Sequence, residues 1–237
     1  FLIPFSYLFY SSSPSPPLDK RLWDFSLSFG GPILQDNLWY FMNARLISQS
    51  RSTPFISWTD PHDNEHDPFD WDNSEKFGFI KLTSLFVPYL KVTVLFNYVN
   101  RNRPFHDNFL DWNITADAIR NMDHENLFQG AGILNYTIDQ NTFADIKAGY
   151  FYDKLPLLLQ KNTIGEPRYV DRGTGHTWGS GLLNEKRVKK KFHVSAYLTR
   201  FQENILGASH ELKVGGEYVY SGLDYSAWKQ NNLTVYY

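Results

Sequence analysis

The densest gathering of chemistry-bearing side chains lies between residues 60 and 72, where Asp60, His62, Asp63, Glu65, His66, Asp67, Asp70 and Asp72 share one polar stretch. Carboxylates at that density offer the oxygen ligands a hard cation takes, and His62 and His66 offer nitrogens to a transition metal. The spacing does not match a calcium-binding EF-hand loop. Pro61 and Pro68 also oppose the helix that would bring histidines four apart onto one face. Asp60, His62, Asp63, His66 and Asp67 are therefore weak metal candidates, and a solvated loop explains them more simply.

Other constellations carry less. Gly173 to Gly181 is glycine-rich but lacks the lysine and following helix of a phosphate-binding loop, so a flexible external loop is expected. Neither a G-x-S-x-G elbow nor an H-E-x-x-H zinc motif occurs. Carboxylates such as Glu211 and Glu217 pair as acid and base only if a partner and an environment tune them, so no enzymatic activity and no cofactor are expected. The run Lys186-Arg187-Val188-Lys189-Lys190-Lys191 suits either the phosphates of an anionic outer leaflet or a solubilising loop base.

Composition narrows the class. The 237 residues carry a net charge of −2 and no cysteine, which argues against a general nucleic-acid binder and excludes disulfides and thiolate metal sites. Aromatics make up 17% of the chain, yet its mean hydropathy is −0.42. That combination suits strands of which every second residue faces lipid, flanked by aromatic girdles. No run approaches the ~20 apolar residues of a membrane helix. The apolar stretch Phe1 to Tyr10 has no initiator Met or basic leader and contains Pro4, so it makes a poor signal peptide, and the chain reads as a piece of a longer or processed product.

The elements that would position these residues are four long hairpins. Leu22 to Leu34 pairs with Leu38 to Gln49, and Glu75 to Phe86 with Lys91 to Arg101. Ala131 to Asp139 pairs with Phe143 to Asp153, and Lys191 to Phe201 with Ser209 to Ser221. Turns near residues 36, 89, 141 and 205 alternate with long polar joins at 50 to 74, 102 to 130 and 155 to 190. Short turns at one end and long loops at the other are the habit of outer-membrane barrels, whereas loops above about 15 residues are uncommon in compact domains. Within the second join, Ile114 to Met122 predicts a short helix capped by Asn113.

Period-two alternation assigns faces. Leu212, Val214, Tyr218 and Tyr220 oppose Glu211, Lys213 and Glu217, and Ala144, Ile146, Ala148 and Tyr150 oppose Phe143, Asp145, Lys147 and Phe151. The strand from Glu75 is mixed, since Phe77 and Phe79 share a side with Lys81 and Thr83, which leaves its facing open. The fold class expected is all-β, an antiparallel up-and-down transmembrane β-barrel segment of about eight long strands. Residues 1–21 read as a loop or linker, 22–229 as the partial barrel and 230–237 as a loop or the start of another strand. Residues facing the lumen in this arrangement are Arg45, Lys147, Glu211, Lys213 and Glu217.

Three stretches carry a family resemblance. Phe29-Gly30-Gly31-Pro32-Ile33, then Asp36 and Leu38-Trp39-Tyr40-Phe41, resembles a hairpin of TonB-dependent outer-membrane receptors, in particular the Oar-like branch with a carboxypeptidase-regulatory-like domain. Asn141-Thr142-Phe143-Ala144-Asp145-Ile146-Lys147-Ala148-Gly149-Tyr150 and Ser209-His210-Glu211-Leu212-Lys213-Val214-Gly215-Gly216-Glu217-Tyr218 are similar to later strands of that barrel, in the same order. The resemblance implies uptake of a bulky nutrient (a siderophore, glycan or peptide) across the outer membrane of a Gram-negative-type bacterium. It further implies energy from the TonB complex through a plug domain that lies outside this chain. Eight arms fall short of the 22 strands of plugged transporters, so a segment of a larger barrel is expected. The competing readings are a secreted β-sandwich that binds or cleaves glycans, and a passive porin or adhesion barrel.

Overall fold

The computed structural model describes residues 19–53, 56–106, 113–205, 207–229 and 233–237. Most of the expected N-terminal linker lies outside them. The strands in chain order are β1 Asp19–Leu34, β2 Leu38–Ser52, β3 Trp58–Thr59, β4 Glu65–His66, β5 Asp70–Val87, β6 Leu90–Arg103 and β7 Met122–Asp139. They continue as β8 Thr142–Leu157, β9 Arg168–Val170, β10 Thr177–Gly179, β11 Asn184–Ile205, β12 Ala208–Trp228 and β13 Thr234–Tyr236.

Eight of these form one antiparallel up-and-down sheet in the order β1-β2-β5-β6-β7-β8-β11-β12. All four expected hairpins are present, and each is longer at its loop end than the alternation alone marked. β11 reaches 22 residues and β12 reaches 21. Among the described residues β1 and β12 each pair on one side only, so the barrel is not closed.

The turns share a construction. Each hairpin shifts register just before its turn, at Pro32/Leu34, Leu85/Val87, Thr137/Asp139 and Gln202/Ile205. Such bulges sharpen the local twist, and the first of them accommodates Pro32, which has no N–H for the ladder. Asp36 takes a positive φ of 61° in the first turn, a conformation that Asp adopts more readily than most residues. Turn carbonyls then accept from the next hairpin: Leu85 N donates to Asn37 O, Thr137 N to Tyr89 O and Phe201 N to Asn141 O, each at 2.8 Å. The turn end is thereby a continuous hydrogen-bonded rim.

The hydrophobic core lies at the other end. Trp71, Ala118, Ile119, Met122, Leu157, Leu159 and Trp178 are all buried there, between strand ends and loops. The long joins are not simple solvated loops but a folded cap, holding a three-stranded sheet ordered β10-β9-β13 and the β3-β4 pair. Among the described residues no second large sheet covers the apolar face of the wall, which is the layer a β-sandwich requires.

The expected helix at 114 to 122 does not form. Only Ala116–Ala118 makes a 3-10 turn, with Thr115 at its N-cap. Ile114 bridges Thr177 and Asn121 bridges Leu158, so the backbone groups a helix would have used go to neighbouring loops, and Met122 begins β7. The basic run also differs from expectation: it lies inside β11, where alternation sends Lys186 and Lys190 to one face and Arg187, Lys189 and Lys191 to the other.

Candidate functional site

Residues directly opposite in a ladder project to the same side, so the register sorts the whole wall into two faces. One face carries Leu27, Val94, Ile146, Leu198 and Val214, all exposed. Its aromatics meet at two levels. Near the turns Phe29 and Tyr40 lie 6.2 Å apart edge-on, as do Tyr89 and Tyr136 at 5.8 Å. Nearer the cap Tyr98 and Phe128 lie 4.9 Å apart, with Phe128 and Tyr152 at 6.2 Å.

Arg45, Lys147, Glu211, Lys213 and Glu217 all fall on the opposite face. The register also settles the mixed strand β5: Phe77 stands opposite Arg45 and Phe79 opposite Asn43, so both aromatics belong to the polar face. This face is hollowed into a cavity of about 1020 Å³ lined from β1, β2 and β5 through β8.

The five candidates do not converge on one point. Arg45 lies in the cavity, where its Nε donates to Asp24 Oδ1 at 2.8 Å and its Nη2 to Oδ2, a fork-on-fork pair. Lys147 and Glu217 flank Ser195 in one register row across β8, β11 and β12. Glu217 Oε2 is 3.5 Å from His193 Nε2. The Lys213 ammonium lies 5.0 Å over the Tyr197 ring, a cation–π contact, and Glu211 stands opposite Phe201.

The structure adds charges the sequence did not single out. Glu75 lies between two guanidiniums, Arg101 at 3.4 Å and Arg103 at 3.1 Å, and Arg101 also pairs with Glu125 at 3.1 Å. Glu75, Arg101 and Glu125 are one register row on β5, β6 and β7. Alternating sign at matched positions of neighbouring strands was the available signal, but it becomes visible only once the register is known.

In the cap, Asp60 organises its loop. Its Oδ1 accepts from His62 N at 2.8 Å and Asn64 N at 3.0 Å, while Oδ2 takes Asn64 Nδ2 at 3.0 Å and faces His66 Nε2 at 3.3 Å. Burial alone would raise its pKa, but the Asn64 and His62 donors outweigh it and hold the carboxyl at about 2. His62 instead meets Tyr237, its Nε2 2.7 Å from the hydroxyl. Asp60, His62 and His66 are thus engaged within the cap, and among the described residues no three His, Cys, Asp or Glu side chains are grouped to hold an ion, Asp63 and Asp67 included.

Aromatics knit this cap together. The Trp58 indole stacks on His66 at 5.6 Å and meets Trp178 edge-on at 5.0 Å, while Tyr169 stacks on Trp178 at 5.3 Å. Glu185 at the base of β11 is also buried. Its pKa lies below the ordinary carboxylate value despite that burial, because Arg187 and Arg120 hydrogen-bond its oxygens.

An uncovered apolar face, a hollowed charged face and short turns opposite a folded cap define an up-and-down sheet of the kind that forms a barrel wall. Among solved structures, the chain is similar to the outer membrane transporter YddB from Escherichia coli, with a TM-score of 0.62 at 13% identity. The match covers 84% of this chain and 25% of that one, so the chain spans about a quarter of the transporter's length. At that identity the likeness is one of fold. The sequence matches no protein-family model and no curated protein.

Proposed function

We propose that this chain is part of the wall of an outer-membrane transport barrel of a Gram-negative-type bacterium, a TonB-dependent receptor that takes up a bulky siderophore, glycan or peptide. The observation that carries the reading is the pairing of an exposed apolar face with a charged, hollowed face on one continuous eight-stranded sheet. Lipid would cover the first face. The second would line the lumen, where Arg45, Lys147, Glu211, Lys213 and Glu217 would meet a plug coupled to the TonB complex. The likeness of fold to an outer membrane transporter supports this direction, and the three motif resemblances supply the Oar-like branch.

Three measurements test it. The full-length protein should fractionate with detergent-extracted outer membrane and run as a heat-modifiable barrel; recovery in the soluble fraction would overturn the proposal. Charge reversals Lys213→Glu and Glu217→Lys should reduce energised uptake while leaving barrel assembly intact. Unchanged uptake in both would remove the lumen assignment. A stable heat-modifiable monomer from these 237 residues alone would argue for a small self-closed barrel instead.

A further inference from the structure

Arg168 opens β9, opposite Gly179 of β10 and Thr234 of β13. It lines a cleft of about 230 Å³ at the base of the cap. Ile114, Ile119 and Leu182 form the apolar wall of this cleft, and Arg120 and Glu185 stand on its polar wall.

Glu185 is already committed. Its Oε1 lies 3.2 Å from Arg120 Nη1 and its Oε2 lies 2.5 Å from Arg187 Nη2. Among the described residues no carboxylate pairs with Arg168, and burial pushes its pKa down from the ordinary value. A half-buried guanidinium without a counter-charge is costly, and its fork of donors is shaped for an oxyanion. Arg168, Arg120 and Glu185 line the cleft, and Glu185 shares its single negative charge between Arg120 and Arg187, so the Arg168 charge is left over.

We propose that this cleft binds a small monoanionic carboxylate with a short apolar body, the carboxylate forked on the Arg168 guanidinium and the body against Ile114, Ile119 and Leu182. Size and the apolar lining choose the class. The cavity lies below the ~300 to 1,000 Å³ of drug-sized sites, which suits a solute of amino-acid dimensions. A carboxylate places both of its oxygens on the one Arg168 fork, whereas Ile114, Ile119 and Leu182 offer nothing to the remaining oxygens of a phosphate. The inference goes beyond the uptake reading and does not depend on it, since the cleft has this chemistry whether or not its occupant crosses the membrane.

The test uses the full-length protein, purified from whichever fraction holds it, and three probes: N-acetyl-leucine, its neutral carboxamide N-acetyl-leucinamide, and inorganic phosphate. Ligand-observed NMR and calorimetry should show N-acetyl-leucine binding at millimolar concentration, with the carboxamide and phosphate each markedly weaker. Arg168→Gln should weaken N-acetyl-leucine by about ten- to a hundredfold, the size expected for charge-assisted hydrogen bonds, and Arg168→Lys should restore part of the loss. Leu182→Trp, a change at an exposed rim position, fills the cleft while keeping Arg168 and should also block binding. It decides the matter if Arg168→Gln proves unstable. Equal binding of the carboxamide, tighter binding of phosphate, no binding of N-acetyl-leucine, or binding unmoved by Leu182→Trp would each overturn the proposal. Soluble fractionation would overturn only the uptake reading, and loss of the probe's binding only this one.

Discussion

The Trp58 indole lies flat on the His176 imidazole, with ring centroids 4.3 Å apart and planes 2° apart. Trp58 comes from the segment between β2 and β5, and His176 from the segment between β9 and β10. One stacked pair therefore ties two distant joins into the cap. His176 is 8% exposed, and its Nδ1 lies 2.9 Å from Thr174 Oγ1.

This pair makes the cap sensitive to acid. Burial lowers the His176 pKa below 6.5, aided by His66 and opposed by Asp171. A histidine whose folded pKa is depressed contributes stability that is complete above the unfolded value and is lost as pH falls through it. Tryptophan fluorescence of the cap should therefore change as pH falls below 6.5, and His176→Gln should flatten that change. An unaltered profile in the variant would assign the transition elsewhere.

Asp60 adds a second loss in the same cap at still lower pH. With a folded pKa of about 2 against 3.8, its contribution is present above pH 3.8 and is lost as pH falls toward 2. Asp60→Ala removes a charged acceptor from several donors at once, which should cost roughly 2 to 3 kcal/mol locally. Faster limited proteolysis between residues 56 and 69, with the wall still protected, is the expected readout.

Two adjacent glycines should behave differently. A Cβ on Gly215 would lie 2.3 Å from the Ala196 carbonyl oxygen and 2.4 Å from Tyr197 Cδ1, whereas one on Gly216 would meet nothing within 4 Å. Gly215→Ala should destabilise the β11-β12 hairpin by about 1 to 3 kcal/mol, and Gly216→Ala should stay within about 0.5 kcal/mol. Adding Tyr197→Ala to the first variant should recover only part of the loss, because the backbone oxygen remains. Urea titration of heat-modifiability would measure all three.

Charge on the two faces of β12 should also separate. Val214→Arg places a cation on the apolar face, at a cost of about 2 to 4 kcal/mol if that position lies at mid-bilayer. Glu211→Arg, on the polar face, should leave assembly nearly unchanged. Equal assembly yields for the two variants would show that lipid does not cover the first face.

Much of the wall was legible because alternation is local. Leu212, Val214, Tyr218 and Tyr220 against Glu211, Lys213 and Glu217 needs only the two-residue period of extended backbone, and the structure keeps that division. The facing of β5 was not legible, since Phe77 and Phe79 stand beside Lys81 in a pattern without a clean apolar side. Pairing with β2 decided it. The helix expected at Ile114 to Met122 failed for a related reason: its propensity is weak, and backbone bridges to Thr177 and Leu158 outweighed it.

By itself the sequence determined the strands, their turns and their two faces, since covalent geometry and the spacing of apolar residues are carried by neighbours in the chain. Only the tertiary structure decided which charges meet. Asp24 with Arg45, Glu75 with Arg101 and Arg103, and Glu185 with Arg120 and Arg187 are pairings set by ladder register and cap packing, and all but Glu185 with Arg187 join separate segments. The same packing left Arg168 without a carboxylate partner among the described residues, because Glu185 was already held by two other guanidiniums. A guanidinium's availability depends on what stands beside it in space, and no local pattern encodes that.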